Sequence, residues 1–186
     1  MDASAQQLRK MVYAALMAAL TAAGAYIAIP IGPVPIVLQN LFVMLAGLLL
    51  GKRWGLISVA VYLVAGAVGL PVFAGGTGGI GKFVGPTGGY LAGFAAAAFV
   101  IGAISEKGGN RVIVDIVAMI VGTAVIYGVG VSWLSVVTGM GWYKALTVGM
   151  FPFLIGDGVK IAAAVPIARA LRPIMKEKAC VVQAAG

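Results

Sequence analysis

Two opposite charges stand three residues apart in an otherwise apolar run: Asp157 and Lys160, within FPFLIGDGVKIAAA at 151–164. At that spacing they share one face of a helix and can partly neutralise each other. Each charge at the centre of a membrane-spanning helix costs about 2.5–3.5 kcal/mol on insertion scales. Apolar replacement of such a pair is often neutral or stabilising, so stability alone gives little reason to keep it. One reading is a purely structural ion pair. The other is a cavity where Asp157 and Lys160 meet the donors and acceptors of a small ligand. Pro152, Gly156 and Gly158 flank the pair and weaken a helix there, which fits backbone exposed in a cavity. Gln39 and Asn40 add side-chain amides that donate and accept.

A second stretch with chemical potential is PVFAGGTGGIGKFVGPT, 71–87. It reads either as a plain surface connection or as a lid. Long Gly-rich loops can fold over a site and present bare backbone N–H groups to a ligand. Gly76 to Lys82 spells G-x-x-x-x-G-K, but Phe83 stands where a phosphate-binding loop has Ser or Thr. The soluble sheet that such a loop requires is not expected either, and nucleotide binding is excluded. The chain has no histidine and one cysteine, Cys180 near its C-terminus. Imidazole metal sites, histidine acid/base chemistry and disulfide frameworks are therefore ruled out, and no cofactor is expected.

The elements that position these residues follow from composition. Hydrophobic residues make up 62% of the 186 and charged residues 10%, with a mean hydropathy of +1.08. A soluble domain is roughly 25% charged. So apolar a chain predicts an all-α integral membrane protein with six transmembrane helices of about 20 residues each. Charge-free runs place the spans at 11–29, 36–50, 54–70, 88–104, 116–137 and 145–167. The Gly-rich loop joins spans 3 and 4. Three regions result: an N-terminal segment 1–10, a transmembrane domain 11–172 and a C-terminal tail 173–186.

Orientation comes from the cations. Arg9, Lys10, Lys52, Arg53, Lys107, Arg111, Arg169, Arg172, Lys176 and Lys178 all fall on one side of the six-span plan. Lys82 and Lys144 fall on the other. The positive-inside rule puts both termini in the cytoplasm and the Gly-rich loop outside. The net charge of +8 thus reflects topology and not a nucleic-acid surface. Asp115 is expected at a cytoplasmic helix end in a structural role.

Small residues recur every four positions in span 1, as Ala14, Ala18, Ala22 and again as Ala15, Ala19, Ala23. Such ridges let another helix backbone approach closely, from inside the chain or from a partner subunit. Gly47, Gly51 and Gly55, and Gly89 with Gly93, read as internal packing.

The ordered segments resemble the BioY family, biotin-specific S components of energy-coupling factor (ECF) vitamin transporters. The matching stretches are GPVPIVLQNL (32–41), LAGLLLGKRWG (45–55), VYLVAGAVGLPVFAGGTGGIGKFVGPTGGYLAGF (61–94) and GDGVK (156–160). Val37 departs from the family pattern, in which many members carry Thr. The resemblance implies a non-enzymatic subunit of the cytoplasmic membrane that binds biotin from outside. Its partners would be a transmembrane coupling subunit and two cytoplasmic ATPases, and Ala14, Ala18 and Ala22 would face the coupling subunit. For biotin, Asp157 can accept from a ureido N–H, and Lys160 can meet the ureido carbonyl or the carboxylate. Gln39 suits either ureido function, and Phe73 and Tyr90 supply ring contacts. Backbone N–H groups at Gly75 and Gly76, with Lys82 or Thr87, suit the remaining polar end. The competing reading is a proton- or ion-coupled secondary transporter with Asp157 as the titrating group.

Overall fold

In a bilayer every backbone polar group must find its partner within the protein, which favours helices wherever the chain runs apolar. The computed structural model describes residues 3–29 and 33–184, with side chains over 4–29 and 33–175. Gly32 and the side chains of Lys176, Lys178 and Cys180 lie outside the described residues. Seven helices are described: α1 (Ala3–Tyr26), α2 (Gln39–Ala67), α3 (Gly81–Val84), α4 (Gly88–Lys107), α5 (Val112–Thr138), α6 (Trp142–Gly149) and α7 (Phe151–Ala184). Four runs are long and apolar enough to cross a membrane: Gln39–Ala67, Gly88–Lys107, Val112–Thr138 and Trp142–Met175.

Helix α2 is two arms. At Gly51 the backbone takes φ 75°, ψ −177°, outside the helical region and open to glycine. A straight helix would separate Gln39 from Tyr62 by about 34 Å. Their side chains instead lie 3.4 Å apart. A Cβ on Gly55 would come within 2.9 Å of the Ala46 carbonyl oxygen. The chain therefore doubles back, and arms 39–50 and 52–67 pack through Gly47 and Gly55. This is the internal role expected for those glycines. Across the same turn, the Lys52 N–H donates to Glu106 Oε1 at 3.1 Å.

Two boundaries and one local feature differ from expectation. The second span was expected from Ile36, but Ile36 and Val37 form strand β2 (Ile36–Val37), antiparallel to β1 (Ala28–Ile29). The sixth was expected to run unbroken from Ala145. The chain instead breaks at Met150 (φ −133°, ψ −58°), and α7 starts at Phe151 with Pro152 in its first turn, where a missing N–H costs nothing. Gly156 and Gly158 lie within regular helix, so the local unwinding expected around Asp157 is absent.

The core forms where α2 packs against α1 and α4, and α4 against α5. Tyr62, Met44, Ile101, Met119, Ile126 and Leu134 are its largest fully buried side chains. Glycines bring the helices close. A Cβ on Gly93 would lie 3.1 Å from the Ile126 Cα, and one on Gly89 would lie 2.3 Å from the Trp133 Cβ. The alanine ridge of Ala14, Ala18 and Ala22 is a correction. Ala14 and Ala18 are buried inside the chain, Ala22 packs on the core, and the Ser58 hydroxyl of α2 donates to the Ala14 carbonyl. Ala15, Ala19 and Ala23 are the exposed set.

Candidate functional site

One end of the bundle carries the Gly-rich segment, the other the Gly51 turn. At the Gly-rich end a cavity of ≈ 170 Å³ opens between residues 33–40, the Gly-rich segment and helices α4, α5 and α7. Pro33, Val34, Pro35 and Val37 line it from the segment before α2, and Phe94, Ile126 and Phe153 add apolar surface from α4, α5 and α7.

Polar groups enter from several elements. Gln39 opens α2; its side chain is buried, and its Oε1 accepts from the Tyr62 hydroxyl. Asn40 also lines the cavity, and its buried Oδ1 has no hydrogen-bond partner. Tyr90, in the first turn of α4, donates to the Gly149 carbonyl at 2.8 Å and ties the cavity to the end of α6. Thr87 flanks the start of α4 without capping it, and Lys82 reaches in from α3. Lys160, only 7% exposed, is the deep cation.

Six expected residues therefore meet on one cavity: Gln39, Phe73, Lys82, Thr87, Tyr90 and Lys160. Asp157 stands behind them. Its carboxylate is 2% exposed, accepts from Lys160 Nζ at 3.0 Å and from the Tyr127 hydroxyl, and lines a separate crevice between α5, α6 and α7. Burial of these charges is tolerable because each is paired and hydrogen-bonded.

Gly75 and Gly76 do not line the cavity, and their expected role as bare donors is corrected. The Gly75 N–H donates to the Ala25 carbonyl and the Gly76 N–H to the Phe73 carbonyl. Thr77 and Gly79 spend their N–H groups on Phe73 and Gly66. Gly75, Gly76 and Gly79 all have positive φ, so glycine is there to make the turns. The turns bury Phe73, whose ring meets Tyr62 and Phe83 edge-on at 5.5 and 5.7 Å. A Cβ on Gly66 would sit 2.0 Å from that ring, so Gly66 makes the socket for Phe73. Tyr26 closes the segment against α1 by donating to the Pro71 carbonyl.

Sequence reasoning missed Tyr127, which lines the cavity and orients Asp157. A lone polar aromatic midway along an apolar span was its signal. Among the described residues no cluster suited to a metal ion occurs.

The family model for the BioY family matches residues 1–177. The chain belongs to the BioY family. A Pyrococcus horikoshii relative named "Probable biotin transporter BioY" is 45% identical over 158 residues, covering 85% of this chain and 93% of its own. The "Biotin transporter BioY" of Thermotoga maritima is 42% identical over 176 residues, covering 92% of this chain and 100% of its own. A solved S-component for biotin from an ECF-type ABC transporter superposes with a TM-score of 0.86 at 34% identity, covering 93% of this chain and 95% of that one. As a BioY family member the chain is a transport component and not an enzyme.

Proposed function

We propose that this chain captures biotin in the Gly-rich-end cavity and delivers it across the cytoplasmic membrane with an ATP-driven coupling module. The observation that carries the site is the meeting of Gln39, Asn40, Tyr90 and Lys160 on one mostly apolar cavity, the mixture small-ligand sites use. The ureido ring presents two N–H donors and one carbonyl. Asn40 Oδ1, unpartnered and buried, accepts one N–H, and Lys160 donates to the carbonyl. Asp157 acts through Lys160 by fixing its ammonium. The carboxylate points to Lys82. Lys160 already carries a counter-charge in Asp157, whereas Lys82 is in no ion pair among the described residues.

Six crossings are supplied by α1, the two arms of α2, α4, α5 and α7, with both termini cytoplasmic and the Gly-rich segment outside. The one-sided distribution of cations supports this orientation. The coupling subunit docks on the exposed ridge Ala15, Ala19 and Ala23 of α1, which is small enough for close helix approach. Two cytoplasmic ATPases complete the module.

Calorimetric titration of the purified chain tests the proposal. Biotin should bind one to one. Lys82→Met should weaken biotin by about 10-fold or more, the loss of one charge-assisted bond, yet leave the neutral biotin amide almost unaffected. No binding of biotin by the unaltered chain rejects the function. Equal losses for acid and amide reject the assignment of Lys82 to the carboxylate.

A further inference from the structure

Far from the cavity, at the Gly51 end, a second charged cluster is buried. Asp115, at the start of α5, is 2% exposed and Ser105 of α4 is 1% exposed. The Arg172 guanidinium of α7 grips Asp115 with two nitrogens, at 2.5 and 3.0 Å. It also donates to the Leu48 carbonyl at 3.1 Å, the Ser105 hydroxyl at 2.9 Å and the Asn110 carbonyl at 3.2 Å. One side chain thus joins α7 to α2, α4, α5 and the turn between the last two.

Helix α7 needs such an anchor. Its inward stripe runs through Phe153, Asp157, Lys160, Ala164 and Ala168, while Ile155 and Val159 on the other side are 83% and 66% exposed. Between Lys160 and Arg172 the fully buried side chains are Ala164 and Ala168, and the larger Ile161 and Val165 pack on the core only partly buried, so the inward surface there offers little to resist sliding. A one-residue slide moves the helix about 1.5 Å, enough to break a hydrogen bond. The Lys160–Asp157 bond cannot oppose that slide, because both residues ride on α7. At that end only the Tyr127 hydroxyl reaches across to the pair from another helix among the described residues. Arg172 meets five acceptor atoms through the two terminal nitrogens of a rigid planar fork, and a fork fixes position along an axis better than a flexible ammonium does.

We propose that Arg172 is a positioning residue for ligand recognition, pinning the register of α7 and so setting where Lys160 enters the cavity about 18 Å away. This rests on Lys160 contacting the ligand, as proposed above. Asp115, Ser105 and the Leu48 carbonyl form the seat of the pin.

A double-mutant cycle on the full chain tests it, with biotin as the titrant and a thermal melt as the check on folding. Asp115→Leu with Arg172→Met removes both charges together, so neither is left buried and unpaired. Biotin affinity should fall about 10-fold in the native background and less than about 2-fold beside Lys160→Met, since residues acting through one contact are not additive. Arg172→Lys keeps the charge but loses the fork; it should show the same dependence on Lys160 and decides the matter if the paired variant does not fold. Native affinity in these variants beside a weakened Lys160→Met overturns the pin while leaving the site reading intact. Equal losses in both backgrounds also overturn it, because a general weakening of the fold would not depend on Lys160. Native binding by Lys160→Met overturns the site reading and the pin together.

Discussion

Asp157→Asn separates support of the site from contact with the ligand. The Asp157 carboxylate is 2% exposed and is shared between the Tyr127 hydroxyl and the Lys160 ammonium at 3.0 Å. Asparagine keeps the volume and one oxygen for Tyr127 but removes the counter-charge of a buried cation. Deleting one partner of such a pair costs about 3–5 kcal/mol. The surviving bond to Tyr127 puts the expected loss of stability near the lower end, about 3 kcal/mol. Asp157 does not line the cavity, so affinity should fall only through the displaced ammonium. One charge-assisted bond is worth about 1.5–3 kcal/mol, or roughly 10- to 150-fold in Kd. Adding Lys160→Met to Asp157→Asn removes the orphaned charge. Stability should then recover most of the loss while affinity stays low, because the biotin acceptor is still unmatched. Thermal unfolding and calorimetry in detergent on the four chains of the cycle measure both quantities. Native stability and affinity in Asp157→Asn would refute the reasoning. So would a double variant that regains affinity together with stability.

Two further outcomes test the wider model. Ala15→Trp with Ala19→Trp should leave biotin binding intact but abolish co-purification with the coupling subunit and ATP-driven uptake; retained co-purification would move the docking surface off this ridge. A topology reporter fused after Gly186 should be cytoplasmic and one inserted between Gly75 and Gly81 external; both on the same side would rule out six crossings.

Most of the helix plan was legible because apolar runs and charged breaks are properties of the chain alone. The pairing of Asp157 with Lys160 follows from their spacing, and six of the nine expected ligand contacts do meet in one cavity. The remainder depended on packing. Ala14, Ala18 and Ala22 lie one residue before Ala15, Ala19 and Ala23, and both sets are equally small. Only the position of α2, with Ser58 bonded to Ala14, decides which set faces inward. Glycine has two uses, close approach to a ligand and positive φ, and sequence does not distinguish them; Gly75 and Gly76 serve the second. Tyr127 stands out in its span only as a polar aromatic, and its partner, Asp157, comes from another helix that sequence does not place beside it. The break at Met150 had a local sign in Pro152, which suits the first turn of a helix better than its middle.

The cavity draws its walls from residues 33–40, from 73–94, from α5 and lastly from Phe153 and Lys160 of α7. A ribosome makes these in order, and the deep cation comes last. A nascent chain halted after α5 already has the amides and all the apolar wall except Phe153, but not Lys160, Asp157 or the Arg172 that anchors their helix. Unfinished or truncated copies should therefore sequester little of a scarce vitamin. On the proposed site, ligand occupancy should depend on insertion of the final helix, and bound biotin should mark copies whose synthesis is complete.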